Sequence, residues 1–203
     1  MSADEPIVYV LDDDARVREG LTALLSSLGR RVMSFADASQ YLAFKRPDVP
    51  GCLVLDLDMP GMTGLELQKE LSGTDAPPIV FLTGHGDIPS TVKAMKAGAT
   101  EFLSKPFDEE DLVRAIDAAI EVDREARVKN AELDEIKKRH AKLTPREREV
   151  LPYVVSGLLN KQTAGELGTS EITIRIHRGQ IMRKMKAESL ADLVRLAAKL
   201  GIP

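Results

Sequence analysis

The chain has 203 residues, enough for one large or two small domains, and its 43% hydrophobic and 30% charged content is ordinary for a soluble globular protein. No apolar stretch approaches bilayer-spanning length, Met1-Ser2-Ala3-Asp4-Glu5 is no signal peptide, and a lone Cys52 excludes an internal disulfide, so a cytoplasmic protein away from membranes is expected. The net charge of −4 hides an asymmetry: residues 1–122 carry 11 Lys/Arg against 21 Asp/Glu, and residues 123–203 carry 17 against 11, so the two parts should meet different partners.

Residues 7–120 alternate strand and helix patterns, the mark of an α/β domain with a parallel sheet. Ile7-Val8-Tyr9-Val10-Leu11 reads as a strand and runs into Asp12-Asp13-Asp14. Val17, Leu21, Leu24, Leu25 and Leu28 then recur at helical spacing, and Gly29 closes that helix. Val32 to Phe35 is a short second strand, and Ala38 to Phe44 a second helix that ends before Pro47. Cys52-Leu53-Val54-Leu55 is apolar without alternation, as in a strand buried on both faces, and stops at Asp56 before a Pro60-Gly61 turn. Leu65 to Leu71 is helical, and Pro77-Pro78 breaks the chain. The strand Ile79 to Leu82 follows, ending at Thr83-Gly84-His85. A helix over Val92 to Ala97 ends at Gly98, and the strand Glu101 to Ser104 ends at Lys105-Pro106. Asp108-Glu109-Glu110-Asp111 then opens a helix with charges that suit its dipole.

Strands of a parallel sheet deliver their carboxyl ends to one edge, where open α/β folds build their sites. Here those ends carry the acids Asp12, Asp13 and Asp56, the hydroxyl of Thr83 and the ammonium of Lys105. That set suits acceptance of a phosphoryl group, with the Asp56 carboxylate attacking phosphorus. Taken alone, Asp12-Asp13 could be a helix N-terminal acid cluster and Lys105 a surface lysine; together beside Asp56 and Thr83 they make a site. Cys52 reads as core filler at a strand start, and His85 is given no role.

From Asp108 to Thr144 there is neither Gly nor Pro, and charges dominate the second half. Leu112, Ala115, Ala119, Val122, Ala126, Lys129, Leu133, Ile136, His140 and Leu143 alternate spacings of three and four. Opposite charges stand at helical spacing in Asp123/Arg127, Glu125/Lys129, Asp134/Lys138 and Glu135/Arg139. One helix is therefore expected to continue through a linker, carrying a weak heptad seam for a second copy. Thr144-Pro145-Arg146-Glu147 is a capping box with proline at the first helical position. Helical segments follow from Thr144, Asn160, Ser170 and Ser189, with no strand pattern after residue 143. The expected division is 1–122 as an α/β domain, 123–142 as a helical linker and 143–203 as a small all-helical domain.

Residues 7–121 resemble the receiver domain of two-component response regulators. The likeness rests on Asp12-Asp13, Asp56-x-x-Met59-Pro60-x-x-x-Gly64, Thr83, Phe102 and Lys105-Pro106. Residues 143–200 resemble the helix-turn-helix of the LuxR type found in FixJ/NarL regulators. The matches are Leu143-Thr144-Pro145-Arg146-Glu147-Arg148-Glu149-Val150-Leu151, Gly157-Leu158-x-Asn160-Lys161 and Ser170-x-x-Thr173-Ile174-x-Ile176-His177. The resemblance implies a flavodoxin-like, doubly wound five-stranded parallel sheet of order 2-1-3-4-5, a helical linker and a helix-turn-helix domain. It implies Asp56 as phosphoacceptor, supplied by a sensor histidine kinase, with Lys105 pairing to a phosphoryl oxygen from a cis Lys105-Pro106 bond. Mg²⁺ (or Mn²⁺) would be held by Asp13, Asp56 and the Asp58 backbone carbonyl, with Asp12 reaching it through water. Thr83 and Phe102 would form the switch. A phosphorylation-dependent homodimer is implied through Val92–Ala97, Phe102 and Leu112–Ile120, with Leu190, Leu193, Val194 and Leu196 as a contact between tails. Double-stranded DNA and RNA polymerase are the remaining partners.

In the tail, Thr144 to Ser156 is expected as a scaffold helix, Asn160 to Leu167 as a positioning helix and Glu171 to Lys186 as the recognition helix. On that last helix Ile174, His177, Ile181 and Met185 share a core face, and Ile172, Arg175, Ile176 and Gly179 share the opposite one. Exposed isoleucine beside arginine suits a major groove, where apolar groups meet thymine methyls and Arg meets guanine. Lys161, Thr173, Arg178, Arg183 and Lys184 are expected at phosphates. Two departures from the pattern are Pro152 inside the scaffold helix and Gly179 where relatives often carry a basic residue. The leading expectation is a DNA-binding response regulator whose only catalysis is self-catalysed phosphotransfer and autodephosphorylation. One rival is a Mg²⁺-dependent aspartyl-phosphate phosphatase, suggested by Asp56-Leu57-Asp58, but it wants Thr or Val where Pro60 stands. Another is a signalling relay without DNA binding, which leaves the basic tail to a protein partner.

Overall fold

Five apolar runs become the strands β1 (Ile7–Leu11), β2 (Arg31–Phe35), β3 (Gly51–Asp56), β4 (Ile79–Thr83) and β5 (Glu101–Ser104). The computed structural model describes residues 5–84 and 88–203, with the backbone alone for 88–91; His85 lies outside the described residues. The strands are parallel and ordered β2-β1-β3-β4-β5, as the sequence resemblance implied. Two-sided burial explains the unbroken runs of β1, β3 and β4, while the edge strands β2 and β5 are more polar and only partly buried. Ile7, Tyr9, Leu11, Leu53, Leu55 and Phe81 face α2 (Ala38–Ala43), α3 (Gly64–Leu71) and α4 (Ile88–Lys96). Val8, Val10, Cys52, Val54, Val80 and Leu82 face α1 (Ala15–Ser27) and the start of α5 (Glu109–Ala141). Each such side chain, fully buried, contributes roughly 1.5–3 kcal/mol.

Local chemistry sets the helix starts at the sheet's carboxyl edge. Asp14 caps α1 by accepting from the Arg16 N–H at 2.8 Å, so this third acid of the run serves the backbone. Thr63 and Glu66 form a reciprocal capping box at α3. At the other end of α1, Gly29 adopts φ 75°, a left-handed position that glycine fills without steric cost.

The chain divides into two compact units, Met1–Arg127 and Val128–Pro203. Helix α5 is continuous for 33 residues, roughly 50 Å at 1.5 Å per residue, and its residues contribute to both units. The alternating apolar residues along it do not form one open seam. Leu112, Ala115 and Ala119 are buried in the first unit's core, and Ile136 and Leu143 in the second's. Val122, Ala126 and Lys129 between them are exposed. Spacing of three and four marks an apolar stripe without saying what covers it, and here each end docks on its own domain. Asp123–Arg127 and Glu135–Arg139 form as spaced, whereas Asp134 pairs with Lys137 at i,i+3.

In the second unit, α6 (Pro145–Val155), α7 (Asn160–Glu166), α8 (Glu171–Met185) and α9 (Leu190–Lys199) enclose Val150, Leu151, Val154, Ala164, Ile174, Ile181, Met185 and Leu193. Pro152 is accommodated inside α6. Asn160 is the first residue of α7 rather than its cap; Leu159 holds the cap position and donates its N–H to the Gln162 side chain at 2.8 Å. Among the described residues no helix is long and apolar enough to cross a membrane.

Candidate functional site

The carboxyl ends of β1, β3 and β5 meet around one ammonium. Lys105 Nζ donates to Asp12 Oδ2 at 2.8 Å and to Asp56 Oδ1 at 2.7 Å. Asp12 is 2% exposed and Asp56 6%, so both carboxylates are largely removed from bulk water. Their remaining oxygens accept from the backbone: Asp14 N–H reaches Asp12 Oδ1 at 2.9 Å, and Asp58 N–H reaches Asp56 Oδ2 at 3.1 Å. The Lys105–Pro106 peptide is cis, and the Lys105 N–H donates to the Thr83 carbonyl at 2.6 Å. Thr83 is fully buried at the end of β4, and Phe102 on β5 is half-buried with its ring 6.3 Å from that of Phe81. Asp13 and Asp58 are exposed at the rim.

Burial pushes the Asp56 carboxyl above its usual range, and the Asp12 charge adds to that, against the opposing pull of Lys105. Burial lowers Lys105, but its hydrogen bonds to the two carboxylates outweigh this and leave it raised, so the ammonium stays charged. Among the described residues no three acid, imidazole or thiol groups stand together as a ready cation cage. Two buried carboxylates against one ammonium still leave a residual negative charge on hard oxygen donors. That donor chemistry fits a divalent cation of the Mg²⁺ kind.

The second unit presents a different chemistry. On α8, Ile174, Ile181 and Met185 are fully buried and His177 half-buried, while Arg175 is exposed between Ile172 at 61% and Ile176 at 57%. Lys161 and Arg183 are exposed, and Thr173 is half-buried at the α8 start with its N–H on the Ser170 cap. Arg178 and Lys184 turn inward, unlike the phosphate contacts expected of them. Arg178 donates to the Leu158 carbonyl and to Asn160 Oδ1, both at 3.2 Å, tying α8 to the start of α7. Lys184 Nζ binds both oxygens of Glu147, at 2.9 and 2.6 Å, and that glutamate is 4% exposed.

Residues 8–117 match the family model for the response regulator receiver domain, and residues 141–197 that for bacterial regulatory proteins of the luxR family. The chain is 48% identical over 202 residues to Nodulation protein W of Bradyrhizobium diazoefficiens, covering 99% of this chain and 89% of that one. The structure of the response regulator StyR superposes with a TM-score of 0.81 at 50% identity, covering 96% of this chain and 99% of StyR. Full-length FixJ from B. japonicum gives 0.56 at 42%, covering 97% and 98%. The chain belongs to the response regulators. It is a transcriptional regulator with a receiver domain, which implies a histidine kinase partner, and a LuxR-type helix-turn-helix domain, which implies DNA binding. Receiver domains generally bind Mg²⁺ at the phosphorylation site, in keeping with the donor set described above.

Two residues shape this response regulator's site without taking part in its chemistry. Arg18 on α1 donates from one nitrogen to the carbonyls of Asp12, at 2.8 Å, and Asp13, at 3.3 Å, holding the backbone of the acid pair. Helical spacing marks Val17 and Leu21 beside it as core residues and leaves Arg18 looking like surface. Gly64 belongs to the quoted motif, but its reason is spatial: a Cβ there would lie 2.5 Å from the Asp56 carbonyl oxygen and 2.9 Å from Phe81. Gly64→Ala must therefore displace the backbone of Asp56, and destabilisation of about 1–3 kcal/mol is expected from overpacking. Urea unfolding would measure it; an unchanged midpoint would show that the loop yields freely.

Proposed function

We propose that Asp56 receives a phosphoryl group from a sensor histidine kinase and that this modification gates DNA binding by the helix-turn-helix. The observation that supports it is the Lys105 ammonium held between the buried Asp12 and Asp56 carboxylates. Asp56 attacks phosphorus, a P–O bond forms to its oxygen, and the bond to the donor's leaving group breaks. Asp13, Asp56 and the Asp58 carbonyl, with Asp12 through water, would hold Mg²⁺ or Mn²⁺, whose charge offsets repulsion between phosphoryl oxygens and acids. Lys105 exchanges its bond to Asp56 for one to a phosphoryl oxygen. Thr83 donates its hydroxyl to another, and Phe102 follows that movement. The chain acts stoichiometrically, its own catalysis limited to phosphotransfer and autodephosphorylation. Incubation with acetyl phosphate and Mg²⁺ tests this reading, with the labelled peptide mapped: labelling away from Asp56, or independent of a divalent cation, contradicts it.

Phosphorylation then favours a homodimer, since paired half-sites need two helix-turn-helix units. Arg175 and Ile176 read bases in the major groove, while Lys161, Thr173 and Arg183 meet phosphates. Arg178 and Lys184 support that surface from behind. RNA polymerase is the partner at the promoter, and the setting is the cytoplasm. Arg175→Ala is expected to weaken specific binding by about 1–3 kcal/mol and relax one operator position. Affinities for a set of single-base operator variants would check it; a uniform loss across all variants would place Arg175 on the backbone instead.

A further inference from the structure

The acid site does not use Asp123, a carboxylate only 6% exposed. Strand β3 ends at Asp56 and begins at Gly51, whose N–H donates to Asp123 Oδ2 at 2.8 Å. The strand ladder shows why a side chain is needed there. Leu53, two residues on and of the same parity, donates its N–H to the Pro78 carbonyl, and pairing of β3 with β4 starts at Leu53 opposite Ile79. Gly51 lies beyond that first pair, so its N–H points past the end of β4, and the Asp123 carboxylate stands in for the missing strand. The same oxygen accepts from Arg127 Nε at 2.7 Å, and Arg127 Nη1 reaches Asp48 at 2.6 Å. Asp48 is fully exposed and adds little. The buried part is the Gly51–Asp123–Arg127 link.

All four residues lie in the first unit, yet Asp123 and Arg127 are beyond the stretch that matches the receiver family model. Apolar packing of α5 on the sheet includes Ile120, and Asp123 and Arg127 then share one face at i,i+4. A buried carboxylate is costly unless its partners are in place, so this link holds one helical phase against its alternatives. Slipping α5 by a residue would turn it by about 100° and take Asp123 away from the Gly51 N–H, whereas Arg127, one turn on along the same helix, would turn with it and keep the carboxylate charged and oriented.

We propose that Asp123 and Arg127 anchor the phase of α5 where it leaves the receiver, and that phosphorylation-dependent control of DNA binding requires this anchor. The inference rests on the gating reading given above. The test uses the full chain as wild type, Asp123→Ala and Arg127→Gln. The last leaves Gly51 its acceptor and is the informative variant should Asp123→Ala not fold. The DNA probe is a duplex selected from a random pool by the acetyl phosphate-treated wild type. Three quantities are read: the rate of acetyl phosphate labelling, amide hydrogen exchange over residues 123–133, and the ratio of DNA affinities with and without acetyl phosphate. Labelling should stay within about two-fold, because the anchor lies at the opposite end of β3 from Asp56. Exchange should quicken by about ten-fold or more as the anchored turn opens. The affinity ratio should shrink by at least about five-fold. Quickened exchange with an intact ratio would overturn the proposal, leaving a merely structural link, as would exchange that does not change. A wild-type ratio of one would overturn the gating reading itself, and the anchor's role with it; the wild-type control alone reports that outcome.

Discussion

Asp56→Asn should abolish Mg²⁺-dependent labelling by acetyl phosphate or by a phosphorylated kinase, the largest effect expected of any single change. The amide keeps the shape of the side chain and an acceptor for Lys105 but removes the nucleophilic carboxylate. Stoichiometric labelling of the variant at Asp12 or Asp13 would sink the assignment. The pH dependence follows from the buried setting. Attack needs the carboxylate, and burial holds the Asp56 carboxyl above its usual range. In the metal-free protein that carboxyl should therefore titrate above the range of an exposed aspartate, as carbon-detected NMR of the side chain would record. Lys105→Ala removes the cation that opposes the shift, so without metal the Asp56 titration should move further up. That variant should accept phosphate slowly and fail to raise DNA affinity, because the ammonium that would exchange partners is gone. An unchanged metal-free titration would mean that Lys105 does not set the charge state of Asp56.

Lys184→Ala should act first on stability, not on contact with DNA. Its ammonium is the ion-pair partner of Glu147, which is 4% exposed and also accepts the Thr144 N–H at 2.7 Å in the capping box of α6. Removing one partner of a buried pair costs about 3–5 kcal/mol; with the Lys184 side chain 24% exposed, about 2–3 kcal/mol is expected. For a unit of this size that is roughly 10 °C or more in Tm. The sign with pH is defined. Burial raises Glu147, but the Lys184 pair and the Thr144 N–H outweigh it and hold the carboxyl below its ordinary value. A depressed carboxyl contributes stability that is complete above the unfolded pKa and lost as pH falls through the folded one. The gap between wild type and variant should thus be widest near neutrality and close in acid, as thermal unfolding at several pH values would record. DNA affinity measured where both proteins are folded should keep its salt slope, since no phosphate contact is removed. A flatter slope would return Lys184 to the DNA backbone.

These two expectations differ in how far the sequence alone supports them. Asp56 is conspicuous because an unbroken apolar run stops at it. The strand ends at Asp12, Thr83 and Lys105 repeat the pattern, and a parallel sheet gathers such ends at one edge. Lys184 is not conspicuous. On a helix whose buried face carries Ile174, Ile181 and Met185, a lysine nearby reads as solvent-facing, and nothing local distinguishes it from Arg183, which is exposed. Arg178 misleads in the same way: its partners Leu158 and Asn160 lie 20 and 18 residues earlier.

Periodicity, capping residues and the order of the motifs by themselves determined the strands, the helices, the sheet's class and the gathering of acids at its carboxyl edge. Each of those depends on residues close together in the chain, whose spacing states which face is apolar. What the tertiary structure alone decided was the choice among partners for the polar groups. It set Lys105 between Asp12 and Asp56, Gly64 against the Asp56 carbonyl, Glu147 on Lys184 and Asp123 on Gly51, the last across 72 residues. It also split the stripe along α5 between two cores. A buried polar group must find a partner, but any donor or acceptor of the right charge will satisfy it, so sequence states the need and only the fold brings one particular group within 3 Å.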